Sequence, residues 1–271
     1  MRPIRIGIQL HPQHGSYEGI RHAVARAEEL GADLVYNWDH FYPLYGEPDG
    51  AHFECWSMLG AWAEQTSRIE LGALVTCNSY RNPQLLADMA RTLDHVSGGR
   101  VVLGIGSGWF ERDYDEFGYE FGTDGSRGRA LAEALPLIKA RWAKSNPKPT
   151  RNIPILIAGT GERITLKLVA EHADGWHARF PSHPDELAPK VEALERWCAE
   201  LGRDPGEIEY GLGLGPAPSD LASKLAEHAD AFVELGFTQF TLGINGPDWE
   251  LGSSVADWLA WRDERNRRHP M

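Results

Sequence analysis

Three places in this chain of 271 residues combine residue type and spacing in a way that can do chemistry. The first is Asp39-His40. A histidine near a carboxylate is suited to proton transfer around neutrality. The same two residues also read as a loop cap and a structural histidine, and their spacing leaves both readings open. The second is Leu103-Gly104-Ile105-Gly106-Ser107-Gly108-Trp109-Phe110, an apolar run that opens into alternating glycines. Glycine lets a backbone turn sharply and lets a planar or anionic ligand approach its amides. The third is Ile155-Leu156-Ile157-Ala158-Gly159-Thr160-Gly161, which precedes a helical pattern. There a helix N-terminus and a threonine hydroxyl could meet a phosphate, or the segment could be a plain turn.

These segments need a scaffold that brings them together, and the pattern of elements supplies one. Strand-like runs cover Ile4 to Leu10, Asp33 to Asn37, Ile69 to Val75, Arg100 to Ile105, Pro154 to Ala158, Asp174 to Ala178, Ile208 to Leu214 and Thr238 to Leu242. Helical patterns alternate with them: Tyr17 to Leu30, Glu54 to Gln65, a helix opened by Asn82-Pro83, about Arg127 to Trp142, Glu162 to His172, Pro184 to Leu201, Ser219 to Leu235, and a last helix striped by Val255, Trp258 and Leu259. Ser16 and Gly31 read as the caps of the first helix. In the helix after Pro83, the residues Leu85, Leu86, Met89, Ala90 and Leu93 fall on one face. Eight βα units predict a single-domain (β/α)8 barrel across residues 1–271. A standard dinucleotide-binding sheet would carry G-x-G-x-x-G after its first strand, but this first strand ends Gln9-Leu10-His11-Pro12.

Barrel enzymes use the carboxyl ends of their strands. Read that way, the candidates are His11 and Gln13, Asn37 to His40, Thr76-Cys77-Asn78, Gly106 to Trp109, Gly159 to Gly161, then Trp176, His177 and Arg179, and Asn245. Trp38, Trp109 and Trp176 suggest a flat or apolar ligand. Cys77 lacks the neighbours that activate a thiolate and reads as a pocket wall. Cys55, Cys77 and Cys198 are far apart, with no C-x-x-C, so no metal site or disulfide framework is expected. The net charge of −12 argues against a nucleic-acid surface. No run approaches the ~18 apolar residues of a membrane span. A soluble cytoplasmic protein with a small-molecule substrate is the expectation.

Trp38-Asp39-His40-Phe41, Leu71-Gly72-Ala73-Leu74-Val75-Thr76, Tyr80-Arg81-Asn82-Pro83, Ser97-Gly98-Gly99-Arg100, Leu103 to Phe110 and Ala173-Asp174-Gly175-Trp176 form, in this order, a specific set. Through them nearly the whole chain resembles the bacterial-luciferase-like superfamily, and within it the deazaflavin (coenzyme F420)-dependent oxidoreductases. The resemblance implies a (β/α)8 barrel with a tricyclic ring in its mouth and a bulge with a non-proline cis peptide in strand three, at Leu74-Val75. It implies that Gly106, Ser107, Gly108 and Trp109 follow the cofactor's side chain, with Gly159, Thr160 and Gly161 at its phosphate. Ala158, Thr76, Asn78, Trp176 and His177 complete the expected cofactor set. His40 matches a histidine beside the hydride-accepting carbon, with Asp39 as its orienter or a ring contact. Two departures stand out: Trp109 replaces a glutamate proton donor and Leu44 a tryptophan of related alcohol dehydrogenases. The excursion between strands four and five is also shortened.

The resulting expectation is hydride transfer between F420 and a small organic substrate, in a homodimer. An FMN-dependent monooxygenase is the alternative with a similar ring. A non-catalytic deazaflavin- or flavin-binding carrier is the alternative of another class.

Overall fold

The computed structural model describes residues 2–179, 181, 183–214 and 229–268. Eight parallel strands, β1 (Arg5–Leu10), β2 (Leu34–Asn37), β3 (Glu70–Ala73), β4 (Val101–Gly106), β5 (Ile155–Ala158), β6 (Gly175–Ala178), β7 (Glu209–Gly213) and β8 (Phe237–Ile244), form one sheet. Its order is β3-β2-β1-β8-β7-β6-β5-β4, and β4 returns to β3 through Leu71↔Val101 and Gly72↔Val102, so the sheet closes into the expected (β/α)8 barrel. β3 breaks after Ala73 and resumes as Thr76–Cys77, which also pairs with β4.

The outer layer is α1 (Tyr17–Leu30), α2 (Cys55–Gln65), α3 (Pro83–Ser97), α4 (Glu111–Phe117), α5 (Asp124–Lys144), α6 (Thr165–His172), α7 (Ala188–Leu201) and α8 (Ser253–Arg268). Residues 229–234 are helical too. The expected helix from Ser219 thus lies largely outside the described residues, as do Leu221 and Leu225, while Phe232 is buried. The main core lies between strands and helices and includes Ile6, Ile8, Leu103, Ile157 and Phe240. A smaller cluster of Leu34, Tyr36, Val102 and Leu156 packs separately from it.

Local chemistry explains most boundaries. Ser16 caps α1 by accepting from the Gly19 amide, and Gly31 ends it in the left-handed region. Asn82 caps α3 by accepting from the Gln84 and Leu85 amides, and Pro83 occupies the first turn.

Three expectations are corrected. The buried face of α3 is Leu86, Ala87, Ala90 and Leu93, while Leu85 is 55% exposed. Trp142 of α5 donates to the Ala87 carbonyl, which places Ala87, not Leu85, at the helix contact. α6 starts at Thr165, because residues 162–164 form a turn. α4 was not expected at all: its sequence Glu-Arg-Asp-Tyr-Asp-Glu-Phe buries only Asp113 and Tyr114, too little for an apolar stripe.

Between β4 and β5 the chain forms α4 and α5 and no strand, in keeping with the shortened excursion. The amino-terminal end of the barrel is held by charge: Arg5 on β1 bonds Glu209 on β7 and Glu70 on β3, and Arg151 also reaches Glu70.

Candidate active site at the carboxyl end of the barrel

A pocket of about 340 Å³ opens at the carboxyl ends of the strands. Of the expected residues, Asp39, His40, Leu74, Val75, Thr76, Gly106, Ser107, Gly108, Trp109, Ala158, Gly159 and His177 line it. Gly106, Ala158 and Gly213 carry little or no side chain, which leaves room at the mouth. A second groove, of about 830 Å³, shares Ser107, Gly108, Trp109 and Thr165 with this pocket and reaches Thr160 and Gly161. It ends at the start of α6, where no side chain caps the helix.

The break in β3 forms one wall. The Leu74–Val75 peptide is cis, at the position the resemblance indicated. The Leu74 amide donates to the Asn37 carbonyl at 2.9 Å, and Gln9 Nε2 donates to the Leu74 carbonyl at 2.7 Å. This break gives the glycines of β4 a different reason from the expected one. A Cβ on Gly104 would stand 2.0 Å from the Ala73 carbonyl oxygen, and one on Gly106 would stand 2.9 Å from a Val75 methyl. These two glycines accommodate the chain's own bulge. Gly108, at φ +86°, would put a Cβ 2.0 Å from the Tyr114 hydroxyl.

His40 follows β2, and its orienting group is not Asp39. Its Nδ1 lies 2.8 Å from Asp113 Oδ2 on α4. The same oxygen accepts from the Tyr80 hydroxyl at 2.9 Å, and Oδ1 accepts from the Phe41 amide at 3.1 Å. Asp113 is fully buried. The His40 ring meets Trp38, Trp109 and Phe110 edge-on. Its Nε2 has no hydrogen-bond partner among the described residues, and the side chain lines the pocket.

Asp39 turns to Arg81 instead, accepting from both terminal guanidinium nitrogens and from the Cys77 amide. Adjacent residues leaving a strand point to opposite sides, so each finds its own partner. The partner of His40 is 73 positions away. Spacing carried no sign of Asp113, whose seven-residue helix has no apolar stripe.

The pocket also has polar atoms with nothing to bond. Thr76 Oγ1 and His177 Nε2 are buried and unpartnered. Burial pushes the His177 imidazole down to about 3, so it stays neutral at ordinary pH. Burial likewise holds His11 down to about 4. His11 stacks on Trp38 with centroids 4.2 Å apart, and Trp38 Nε1 donates to His52 Nε2, fixing that indole as a wall. Arg179 lies over the Trp109 ring at 4.9 Å at the rim.

Two of the expected cofactor residues lie outside the pocket lining. Trp176 does not line the pocket; it is fully buried in the main core against Tyr210 and Phe237, because its neighbour His177 takes the inward position. Asn78 lies in a short 3-10 turn beside the pocket and does not line it. Cys77 does line it, and burial pushes its thiol up, away from reactivity. No cluster of potential metal ligands and no helix long and apolar enough to cross a membrane occurs among the described residues.

The luciferase-like monooxygenase family profile matches residues 1–267. The chain belongs to that family. An uncharacterized protein of Mycobacterium tuberculosis is 32% identical over 218 residues, covering 74% of this chain and 72% of its own. The F420-dependent glucose-6-phosphate dehydrogenase of Amycolatopsis mediterranei is 30% identical, covering 70% of this chain and 64% of its own. Among solved structures, an F420-dependent secondary alcohol dehydrogenase with an F420-acetone adduct superposes with a TM-score of 0.79 at 19% identity, covering 94% of this chain and 99% of its own. The monooxygenase RslO1 from Streptomyces bottropensis gives 0.76 at 16% identity, covering 96% and 98%. At these identities the structures establish the fold alone.

Proposed function

We propose that this member of the family transfers a hydride between coenzyme F420 and a small organic substrate, with His40 exchanging the accompanying proton. The observation that carries the reading is the unpartnered Nε2 of His40, held by Asp113 in a pocket that also presents two unpartnered buried polar atoms. An aromatic-walled site with a few convergent polar groups suits a flat heteroaromatic ring. The residues fit such a group: Leu74 and Val75 would back the ring, and Thr76 and His177 would meet its polar edge. Ser107, Gly108 and Trp109 would follow the side chain. Gly159, Thr160 and Gly161, with the start of α6, would take the phosphate.

When bound, the deazaflavin supplies the hydride chemistry. The protein orients the reactants, narrows access of water with Trp38 and Trp109, and holds the proton at His40 Nε2. Asp39 is bound to Arg81 and positions the strand end. The F420-dependent relative at 30% identity supports this cofactor. FMN is the second reading, favoured by the family's monooxygenase description, since the same residues suit either ring.

Fluorescence titration of the purified protein with F420 and, separately, with FMN tests the choice. Micromolar or tighter F420 binding with weak FMN binding supports the proposal. The reverse preference, with oxygen consumed during turnover, selects the monooxygenase reading. Binding of neither removes both.

A further inference from the structure

We infer that Asp113 is a positioning residue that commits His40 to one tautomer, with its exchangeable proton confined to Nε2. This rests on the reading of His40 as the proton-exchanging group. The argument runs through the donors that meet on one buried carboxylate. A backbone amide such as that of Phe41 can only donate. Burial, with nearby negative charge including that of Asp113, holds the Tyr80 phenol far above its ordinary range, so it too keeps its proton and donates. Asp113 therefore accepts on both oxygens, from the Phe41 amide on Oδ1 and from the Tyr80 hydroxyl on Oδ2.

The third contact, from His40 Nδ1 at 2.8 Å, shares Oδ2 with the tyrosine, and it is satisfied only when Nδ1 carries a hydrogen. The neutral ring is then the Nδ1–H tautomer, with its lone pair on Nε2. In the reductive direction, the imidazolium Nε2–H bond breaks and its proton forms a bond to the substrate atom that gains charge as the hydride arrives. The ring is left neutral with its remaining proton on Nδ1. In the oxidative direction the same proton returns to Nε2. The dyad also crosses elements, because α4 must be docked for Asp113 to reach His40. Arg112 on α4 fastens it to the loop after β2, donating to the Pro48 carbonyl at 2.6 Å and packing over Tyr42 at 3.9 Å.

The test is 15N NMR of the imidazole nitrogens in the protein without added cofactor, with His40 assigned by difference from His40→Gln. The expected spectrum shows a protonated Nδ1 and an unprotonated Nε2 for the neutral ring. Asp113→Asn, whose amide can donate to Nδ1, is expected to shift the ring toward the Nε2–H tautomer. It should also lower turnover by about 10²–10⁴-fold with little change in cofactor affinity. Asp113→Glu should restore part of the wild-type signature. A wild-type ring protonated on Nε2, or Asp113→Asn with wild-type tautomer and turnover, overturns the inference. If Asp113→Asn does not fold, the wild-type spectrum decides alone. An expected tautomer together with full turnover in His40→Ala would instead overturn the role of His40 and leave the tautomer assignment standing.

Discussion

His40 and Asp39 are neighbours in sequence and opposites in consequence. Replacing His40 by alanine removes a pocket group tied to the protein by one hydrogen bond. Turnover is expected to fall by about 10²–10⁴-fold with little change in cofactor affinity. Steady-state kinetics beside a cofactor titration separates the two effects, and unchanged turnover would end the proposed role. Asp39→Ala acts differently, because it strands the Arg81 guanidinium in a largely buried position where, among the described residues, only Glu54 remains as an ion-pair partner. Breaking a buried pair from one side removes about 3–5 kcal/mol of stability. Urea unfolding should register that loss; a catalytic defect at wild-type stability would contradict it. The pair Asp39-His40 was legible as chemistry in the sequence, but its internal arrangement was not. Each residue's partner lies 42 or 73 positions away, and such contacts leave no mark on local spacing.

Among the elements, β3 and β4 decide the shape of the pocket, and the glycines of β4 are set by how closely the two approach. Gly104→Ala would drive a Cβ into backbone at Ala73, an atom that cannot swing aside. The expected loss is at least about 1–3 kcal/mol, the range for overpacking, with weakened cofactor binding as the bulge shifts. Gly60→Ala is the matched control: it lies inside α2, and beyond its chain neighbours and the helix's own backbone no atom comes within 4 Å of a new Cβ. It should gain about 0.5–1 kcal/mol from helix propensity. Chemical denaturation of both variants checks the contrast, and equal effects would refute the close-approach argument. Strand and helix order was legible because alternation and capping residues are local signals, as Ser16, Gly31 and Asn82 show. α4 escaped because Asp113 and Tyr114 are its only buried residues, and a polar helix has no periodicity to read. The Thr165 start of α6 escaped because the helix has no capping side chain.

At the scale of the molecule, both ends of the barrel hold ion pairs, but the carboxyl end also buries imidazoles, and these bear on how stability depends on pH. The amino-terminal end pairs Arg5 with Glu70 and Glu209. The carboxyl end pairs Arg81 with Asp39 and Glu54 and also buries imidazoles, with His177 pushed down to about 3 and His11 to about 4 by loss of solvation. Both are lowered from an ordinary value of 6.5, so in the window below 6.5 the unfolded chain binds protons that the folded chain refuses. Their contribution is therefore complete above pH 6.5 and is lost as pH falls toward 3–4, the sign opposite to that of a histidine held by a carboxylate. Between pH 7 and pH 5 each would withdraw about 2 kcal/mol, at 1.36 kcal/mol per pKa unit. Urea unfolding of wild type and His177→Gln at both pH values isolates one share. The variant should lose about 2 kcal/mol less than wild type over that interval, while other titrating groups cancel in the difference. An identical pH dependence would mean that His177 is solvated, and the unpartnered nitrogen assigned to the cofactor's polar edge would then be a water site.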